Sequence, residues 1–352
     1  MPESSFPSAP KSSQTPESSH DCRELSIDSS DFGADSSVFY TSAQSALFAG
    51  SGIRFVLTSR HGGFSQAPFE SLNLAYNVGD CRAAVAKNRA KILRRYFPHK
   101  SLLWCEQIHS NIIFDAPNIQ ALDAQMSNSQ TPSAQMPNAT PTFCSTFRAP
   151  LGKGDGIICD DPAFVALCVV ADCNPVLVFD PKRRIFALLH AGRAGVCARI
   201  ITHAATRLIS RGSKASDLSV FVGASIRACC YEIQEPLVSR IAWDFGAQFI
   251  RANGARRTLD LIAMICHECE SIGIKRENIE VLDACSCCES DLFSYRRASL
   301  EANQNSAPKA ESSQKSLNLD SKNPDSSQNN VKSTRSTTAQ TGRFGLFVSL
   351  VC

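Results

Sequence analysis

Histidine is scarce in this chain. There are seven in 352 residues, and no two stand in a His-x-His pair. That supply rules out a centre needing many paired imidazoles, such as the trinuclear copper cluster of a multicopper oxidase. No apolar stretch approaches the roughly 20 residues that span a bilayer, so no membrane partner is expected. The N-terminus, MPESSFPSAPKSSQTPESS, is polar and lacks the charged start and apolar core of a secretory signal. Long basic runs are missing too. Net charge is +3, and PKRR (181–184) and YRRAS (295–299) are short enough to be solvated turns. A nucleic-acid partner is therefore not expected.

Cysteine, by contrast, is abundant, with sixteen residues. Without a signal segment these are expected in a reducing cytoplasm, mostly as small buried hydrophobes rather than a disulfide framework. Hydrophobic residues make up 43% of the chain and gather between about 47 and 300 and again at the C-terminus. Three polar stretches interrupt them: residues 1–37, 118–150 and 300–340, rich in Ser, Asn, Gln and Pro. They cannot bury enough apolar surface to offset chain entropy and read as disordered. Long loop insertions cost a domain little, because closure entropy grows slowly with length. The expected organisation is an N-terminal extension over 1–46 and one catalytic domain over 47–352, broken by inserts at about 118–150 and 300–340.

The ordered part mixes periods of two and of 3.6. Strands are expected over 52–60, 164–172, 175–180, 185–192, 218–226, 277–285 and 344–351. Helices are expected over 83–96, stopped by Pro98, over 196–212 with Gly212 as the terminating residue, and over 234–252 and 258–271. This is an α/β chain with helices covering sheet faces. DPKRR joins two of the strands as a hairpin. If the turn centres between Lys182 and Arg183, His190 lies opposite Pro175 and Cys173 comes within reach of a shared ion, whereas a slip of one residue puts them on opposite faces, and the sequence does not fix which.

Three segments carry residues suited to chemistry: WCEQIHS (104–110), ADCNP (171–175) and LLHAGRAG (188–195). His109, Cys173 and His190 make a set of two imidazoles and one thiolate. Three protein ligands leave a fourth tetrahedral position open, the mark of a catalytic zinc. Zinc so held lowers the pKa of a coordinated water towards about 7. Copper is the less favoured alternative. Asp172, beside Cys173, is the candidate general acid/base. Arg60, Arg89, Arg193, Arg296 and Arg343 lie in or beside the motifs, and a guanidinium fork suits phosphate. Asn73 and Gln107 are candidates for ribose or base edges, and Cys285 for the pocket wall. Cys285, Cys287 and Cys288 form C-x-C-C. No fourth ligand stands at suitable spacing, so structural thiols are expected there.

The motifs, taken in order, resemble a known family. They are TSRHGGFSQAPFESLNLAYNVGD (58–80), Asn88–Arg89, WCEQIHS, GDGIICDDP (154–162), ADCNPVLVFDPKRRIFALLHAG, GASIRACCYEI (223–233), DACSCCESDLFSYRR (283–297) and TGRFG (341–345). Their order and spacing are those of the YfiH-type family, first called multicopper polyphenol oxidase or laccase-domain proteins and now read as purine nucleoside phosphorylases. The resemblance covers roughly residues 50–352, less the two inserts. It implies an α/β/β/α sandwich with mixed sheets. It also implies metal ligands at His109, Cys173 and His190, and phosphorolysis of adenosine, inosine, guanosine and methylthioadenosine with accompanying adenosine deaminase activity. Purine nucleosides and phosphate would then be the partners of a monomer or small homo-oligomer. One departure stands out. The family's His-Ala-Gly-Trp-Arg-Gly is here His190-Ala191-Gly192-Arg193-Ala194-Gly195, so Arg193 holds the Trp position and Ala194 the Arg position. Two rivals remain: a cysteine hydrolase with Cys173 as nucleophile and His190 as base, and a non-catalytic nucleoside-binding protein.

Overall fold

The computed structural model describes residues 36–116, 149–306 and 339–351. The chain opens with strands β1 (Val38–Thr41) and β2 (Ile53–Thr58), then helix α1 (Arg82–Tyr96) and strands β3 (Ser101–Trp104) and β4 (Ile113–Asp115). Past residue 148 come β5 (Gly156–Cys159), β6 (Phe164–Val170), β7 (Asn174–Asp180) and β8 (Ile185–Ala191). Two helices follow, α2 (Arg193–Cys197) and α3 (Ile200–Ser210), and then β9 (Ser219–Val222) and α4 (Leu237–Asp244). The remainder is β10 (Ile250–Asn253), β11 (Arg256–Leu259), α5 (Leu261–Ile272), β12 (Ile279–Val281), α6 (Tyr295–Ser306) and β13 (Phe344–Leu350).

Two mixed sheets stack face to face. One has the order β1-β2-β13-β6-β3, the other β12-β9-β7-β8-β5-β4. Alternation in β7 and β8 shows why both runs are apolar throughout. Val176, Val178, Ala187 and Leu189 face helices α3 and α5, while Leu177, Phe179, Phe186 and Leu188 face the other sheet. Strands buried on both faces lose the polar half of the usual pattern. Phe55 of β2 stacks on Phe221 of β9 with ring centroids 4.4 Å apart, pinning one sheet to the other. Helix α1 covers the outer face of the five-stranded sheet through Ile92 and Leu93. The layers are therefore α/β/β/α in a single domain, as the motif resemblance implies.

Of the two registers open to hairpin β7–β8, the structure has the one with Pro175 opposite His190. Gly212, at φ 93°, follows the α3 C-cap as anticipated. Other expectations need correction. Residues 196–212 are not one helix. Arg199 takes a left-handed φ of 60° and separates α2 from α3. The helix expected over 234–252 ends at Asp244, and Ile250–Asn253 pairs instead with Arg256–Leu259 around Gly254 at φ 59°. Thr258 and Leu259 thus belong to a strand, and α5 starts after Asp260, whose side chain caps it by accepting from Ala263 N. The extension drawn over 1–46 is too long, because Val38–Thr41 pairs with β2 and Tyr40 stacks on Phe221. Polar neighbours masked a short aromatic edge strand. Likewise residues 300–306 continue α6. Of the polar stretches, residues 1–35, 118–148 and 307–338 lie outside the described residues. No helix among the described residues is long and apolar enough to cross a membrane.

Candidate metal centre and cavity

Both segments carrying the outer two ligands are crossings between sheets. β3 belongs to the five-stranded sheet and β4 to the six-stranded one, with His109 on the connection. β6 and β7 are likewise in different sheets, with Cys173 between them. His190 lies near the end of β8 at the same edge, since Pro175 beside Cys173 is its partner. The ligand atoms of His109, Cys173 and His190 all lie within 4.8 Å of one another, and the two imidazole centroids are 4.8 Å apart. Zinc bonded at its usual lengths would need edges of roughly 3.3–3.7 Å, a small closure. These residues could hold a metal ion.

What holds them is Asp155, a residue to which sequence reasoning assigned no role although it lies in the GDG segment. Its carboxylate accepts from the backbone N–H of Ile108 (3.3 Å), His109 (3.0 Å) and Ser110 (2.6 Å), from Ser110 Oγ (2.7 Å) and from His190 Nδ1 (2.7 Å). Three successive N–H groups on one carboxylate form an anion nest and sustain the left-handed φ of 63° at His109. With Nδ1 so engaged, His190 offers Nε2 to a metal, and the carboxylate raises its basicity. Burial pushes the Asp155 carboxyl up, but the bonds from His190 and Ser110 outweigh it and hold the group at about 2.

Electrostatics link the ligands. Burial pushes the Cys173 thiol up, yet the His190 charge and hydrogen bonds from both imidazoles draw it down to about 6. Burial pushes His190 down, and the Cys173 thiolate together with Asp155 raises it to about 9. Without a metal, a thiolate–imidazolium pair occupies neutral pH. Close approach also requires Gly192. A Cβ there would lie 2.9 Å from Cys173 Sγ and 3.0 Å from His109 Cδ2.

The ligands open onto a cavity of about 1020 Å³ lined by Arg82, Arg89, Arg193, Arg296 and Arg343 among others. Arg89 is 2% exposed and sandwiched, its guanidinium 4.3 Å from the Tyr76 ring and 4.5 Å from Trp104. Nε donates to Leu74 O, while Nη1 is buried with no partner. Burial pushes this guanidinium down to about 10. An unsatisfied buried cation is costly, so its place in a cavity wall points to an anionic ligand. Arg193 faces the cavity beside Tyr231, whereas Ala194 is exposed. The Arg–Ala replacement therefore still delivers one guanidinium to this wall.

Other anticipated site residues sit elsewhere or do something different. Arg60 is outside the cavity lining. It donates to Glu70 O and lies 4.9 Å over Phe293. Asn73 is fully buried, with its side chain bonded to Ala75, Asp80 and Arg343 N, and it braces loops. Cys285 lines a different cluster, with Cys229, Cys230 and Cys288. Gln107 reaches the cavity, but its amide pairs with both Val169 N and O. Asp172 also reaches it, yet its oxygens accept from Ser286 Oγ, Ser294 Oγ and Arg296 N. That occupation suits positioning of the Cys173 turn better than proton transfer.

Comparison with known proteins bears on the family and the fold. The chain is 29% identical over 248 residues to a purine nucleoside phosphorylase of Mycobacterium bovis, covering 70% of this chain and 87% of that one. It is 27% identical to the purine nucleoside phosphorylase YlmD of Geobacillus stearothermophilus, over 68% and 84% of the two chains. Among solved structures, Bacillus licheniformis hypothetical protein YfiH aligns at TM-score 0.64 and 22% identity, covering 88% of this chain and 98% of that one. YlmD from Geobacillus stearothermophilus aligns at TM-score 0.63 and 24% identity, covering 88% and 94%. Residues 54–305 match the family described as multi-copper polyphenol oxidoreductase laccase, and this chain belongs to that family.

Proposed function

We propose that this chain is a zinc-dependent purine nucleoside phosphorylase with adenosine deaminase activity. It would act on adenosine, inosine, guanosine and methylthioadenosine. The observation that carries the reading is a three-ligand His/Cys/His site opening onto the same cavity as a buried arginine with a free Nη1. The donor set of two imidazoles and one thiolate, with Asp155 behind His190, fits zinc and leaves one position for a non-protein ligand. When bound, zinc supplies Lewis-acid chemistry. Every other part belongs to side chains. Arg89, held flat between Tyr76 and Trp104, donates Nη1 to a phosphate oxygen. Arg193 and Arg343 add positive charge to the same cavity, where a departing purine and an attacking phosphate both carry negative charge. The apolar wall at Val169, Val170, Ile226 and Leu261 receives the base and excludes water. In the described residues the metal-ligating groups are this His/Cys/His site and a four-cysteine cluster, which matches a single mononuclear reaction centre.

The Cys173–His190 ion pair is also what a cysteine hydrolase would use. Adenosine incubated with and without phosphate, followed by chromatography, separates the readings. Wild type should release adenine only with phosphate, and inosine in either case. Chelator treatment and Cys173→Ala should each abolish both. Activity that survives the chelator but not the substitution would establish the nucleophile. Equal activity in Cys173→Ala would overturn the metal site.

A further inference from the structure

We propose a second metal site, a structural tetrahedral zinc held by Cys229, Cys230, Cys285 and Cys288. Their sulfur atoms all lie within 4.8 Å of one another. Cys288 Sγ stands 3.8 Å from Cys229 Sγ and 3.5 Å from Cys230 Sγ. A zinc–thiolate bond of about 2.3 Å makes the edge of a regular tetrahedron roughly 3.8 Å, so the two Cys288 spacings are those of thiolates on one ion, and the 4.8 Å limit on the others asks for at most a small closure. They are too long for a disulfide, whose sulfurs are about 2.05 Å apart. They are too short for an iron–sulfur cluster, which would spread the four thiolates over separate iron atoms.

The backbone builds the site from two turns. Cys285-x-x-Cys288 has the spacing of a zinc knuckle, and within it Cys288 N and Glu289 N both donate to Cys285 O (3.0 and 2.9 Å). In the facing turn, Cys230 N and Tyr231 N both donate to Arg227 O at 2.9 Å. Arg227 N donates to Cys285 Sγ at 3.4 Å. The turns are laced together by Ser225 N to Ala284 O and Ser286 N to Ser225 O. Four thiolates and a dication leave two net negative charges. Guanidinium groups collect around them: Arg256 on Cys229 O (3.1 Å), Arg296 on Cys230 O (3.1 Å) and Arg297 on Cys287 O (3.1 Å). All four protein positions are filled, so this ion is structural rather than catalytic. Its purpose follows from its neighbours. Tyr231, directly after Cys230, and Arg296, bonded to Cys230, both line the reaction cavity. The ion fixes that wall in place of an apolar core, which these polar turns lack.

The test uses the full chain, produced with zinc and iron both available and purified in thiol reductant without metal-affinity resin. Metals are counted by mass spectrometry. Cys173→Ala, which disables the first site, should retain about one zinc per chain, and Cys173→Ala/Cys288→Ser should retain none. Cys173→Ala/Cys287→Ser, altering a thiol outside the cluster, should keep its zinc. Cobalt exchanged into Cys173→Ala should give the intense spectrum of a tetrahedral four-thiolate site. Metal-free Cys173→Ala protein, bound iron with visible absorption, or a disulfide among these cysteines would each overturn the proposal. Should the double variant fail to fold, the metal count and cobalt spectrum of Cys173→Ala alone decide. Loss of catalysis with this zinc intact would count against the functional reading only.

Discussion

Asp155→Asn is the most informative single substitution. It removes a charge but almost no volume, so cavity terms drop out. The carboxylate accepts five hydrogen bonds, two at Oδ1 from His109 N and His190 Nδ1 and three at Oδ2 from Ile108 N, Ser110 N and Ser110 Oγ. An asparagine keeps one acceptor oxygen. Its NH₂ must face either the His190 donor or the N–H groups of the His109 loop, so at least one buried donor loses its partner, at about 1–3 kcal/mol. The linkage gives a similar figure. A carboxyl held at about 2 against about 3.9 in the unfolded chain contributes roughly 2–3 kcal/mol at neutral pH. Its pKa is depressed, so this stability is present above about pH 4 and is lost as pH falls towards 2. The variant should therefore melt roughly 5–10 °C lower at pH 7 for a domain of this size, and its stability should depend less on pH between 4 and 2. Metal affinity should fall about 10–100-fold, because His190 loses the partner that orients it. Thermal melts across pH and chelator competition measure both. A variant with wild-type melting and wild-type zinc affinity would refute the role assigned to Asp155.

Arg89→Lys keeps the charge but loses the planar fork between Tyr76 and Trp104. It should raise the KM for phosphate by about tenfold or more, with phosphate-independent deamination nearly unchanged; steady-state kinetics with varied phosphate would show it. Arg60→Ala should leave that KM within error, because Arg60 stands outside the cavity, and a large rise would mean the cavity was misassigned. Gly192→Ala forces Cys173 Sγ and His109 apart and should lower zinc occupancy with less effect on folding, read by metal content against melting temperature. Zinc affinity should rise by about tenfold per pH unit between about 6 and 9, because binding displaces the proton of a His190 whose pKa is raised. Below about 6 the slope should steepen as Cys173 reprotonates. A pH-independent affinity by chelator competition would contradict the ion pair.

Legibility from the sequence followed locality. The β7–β8 hairpin was readable because two apolar runs of strand length flank a short charged turn, but its register, Pro175 opposite His190, was not, because strands buried on both faces carry no polar alternation to fix it. The long α1 was readable from its spacing. The segment 234–252 was not, because a Gly-marked hairpin at Gly254 competed with a helical pattern of similar strength. Arginines near motifs could be nominated but not sorted. Arg60 and Arg89 look alike in sequence, and only packing turned one onto Phe293 and left the other in the cavity wall with a free Nη1.

The residues by themselves determined which atoms could bind a metal, the order of the motifs and the two-sided burial of the central strands. Those properties reside in side-chain chemistry and short-range period. Tertiary structure decided the rest. It placed the β3–β4 and β6–β7 crossings at one end of the sandwich, so that His109 and Cys173 meet His190. It assigned Asp155 to hold two of the three ligands, and Gly192 to let them close. It also supplied the partners missing from C-x-C-C, setting Cys230 against Cys288 across 58 residues. Such contacts arise from how two sheets stack and where their loops end, which no local pattern encodes.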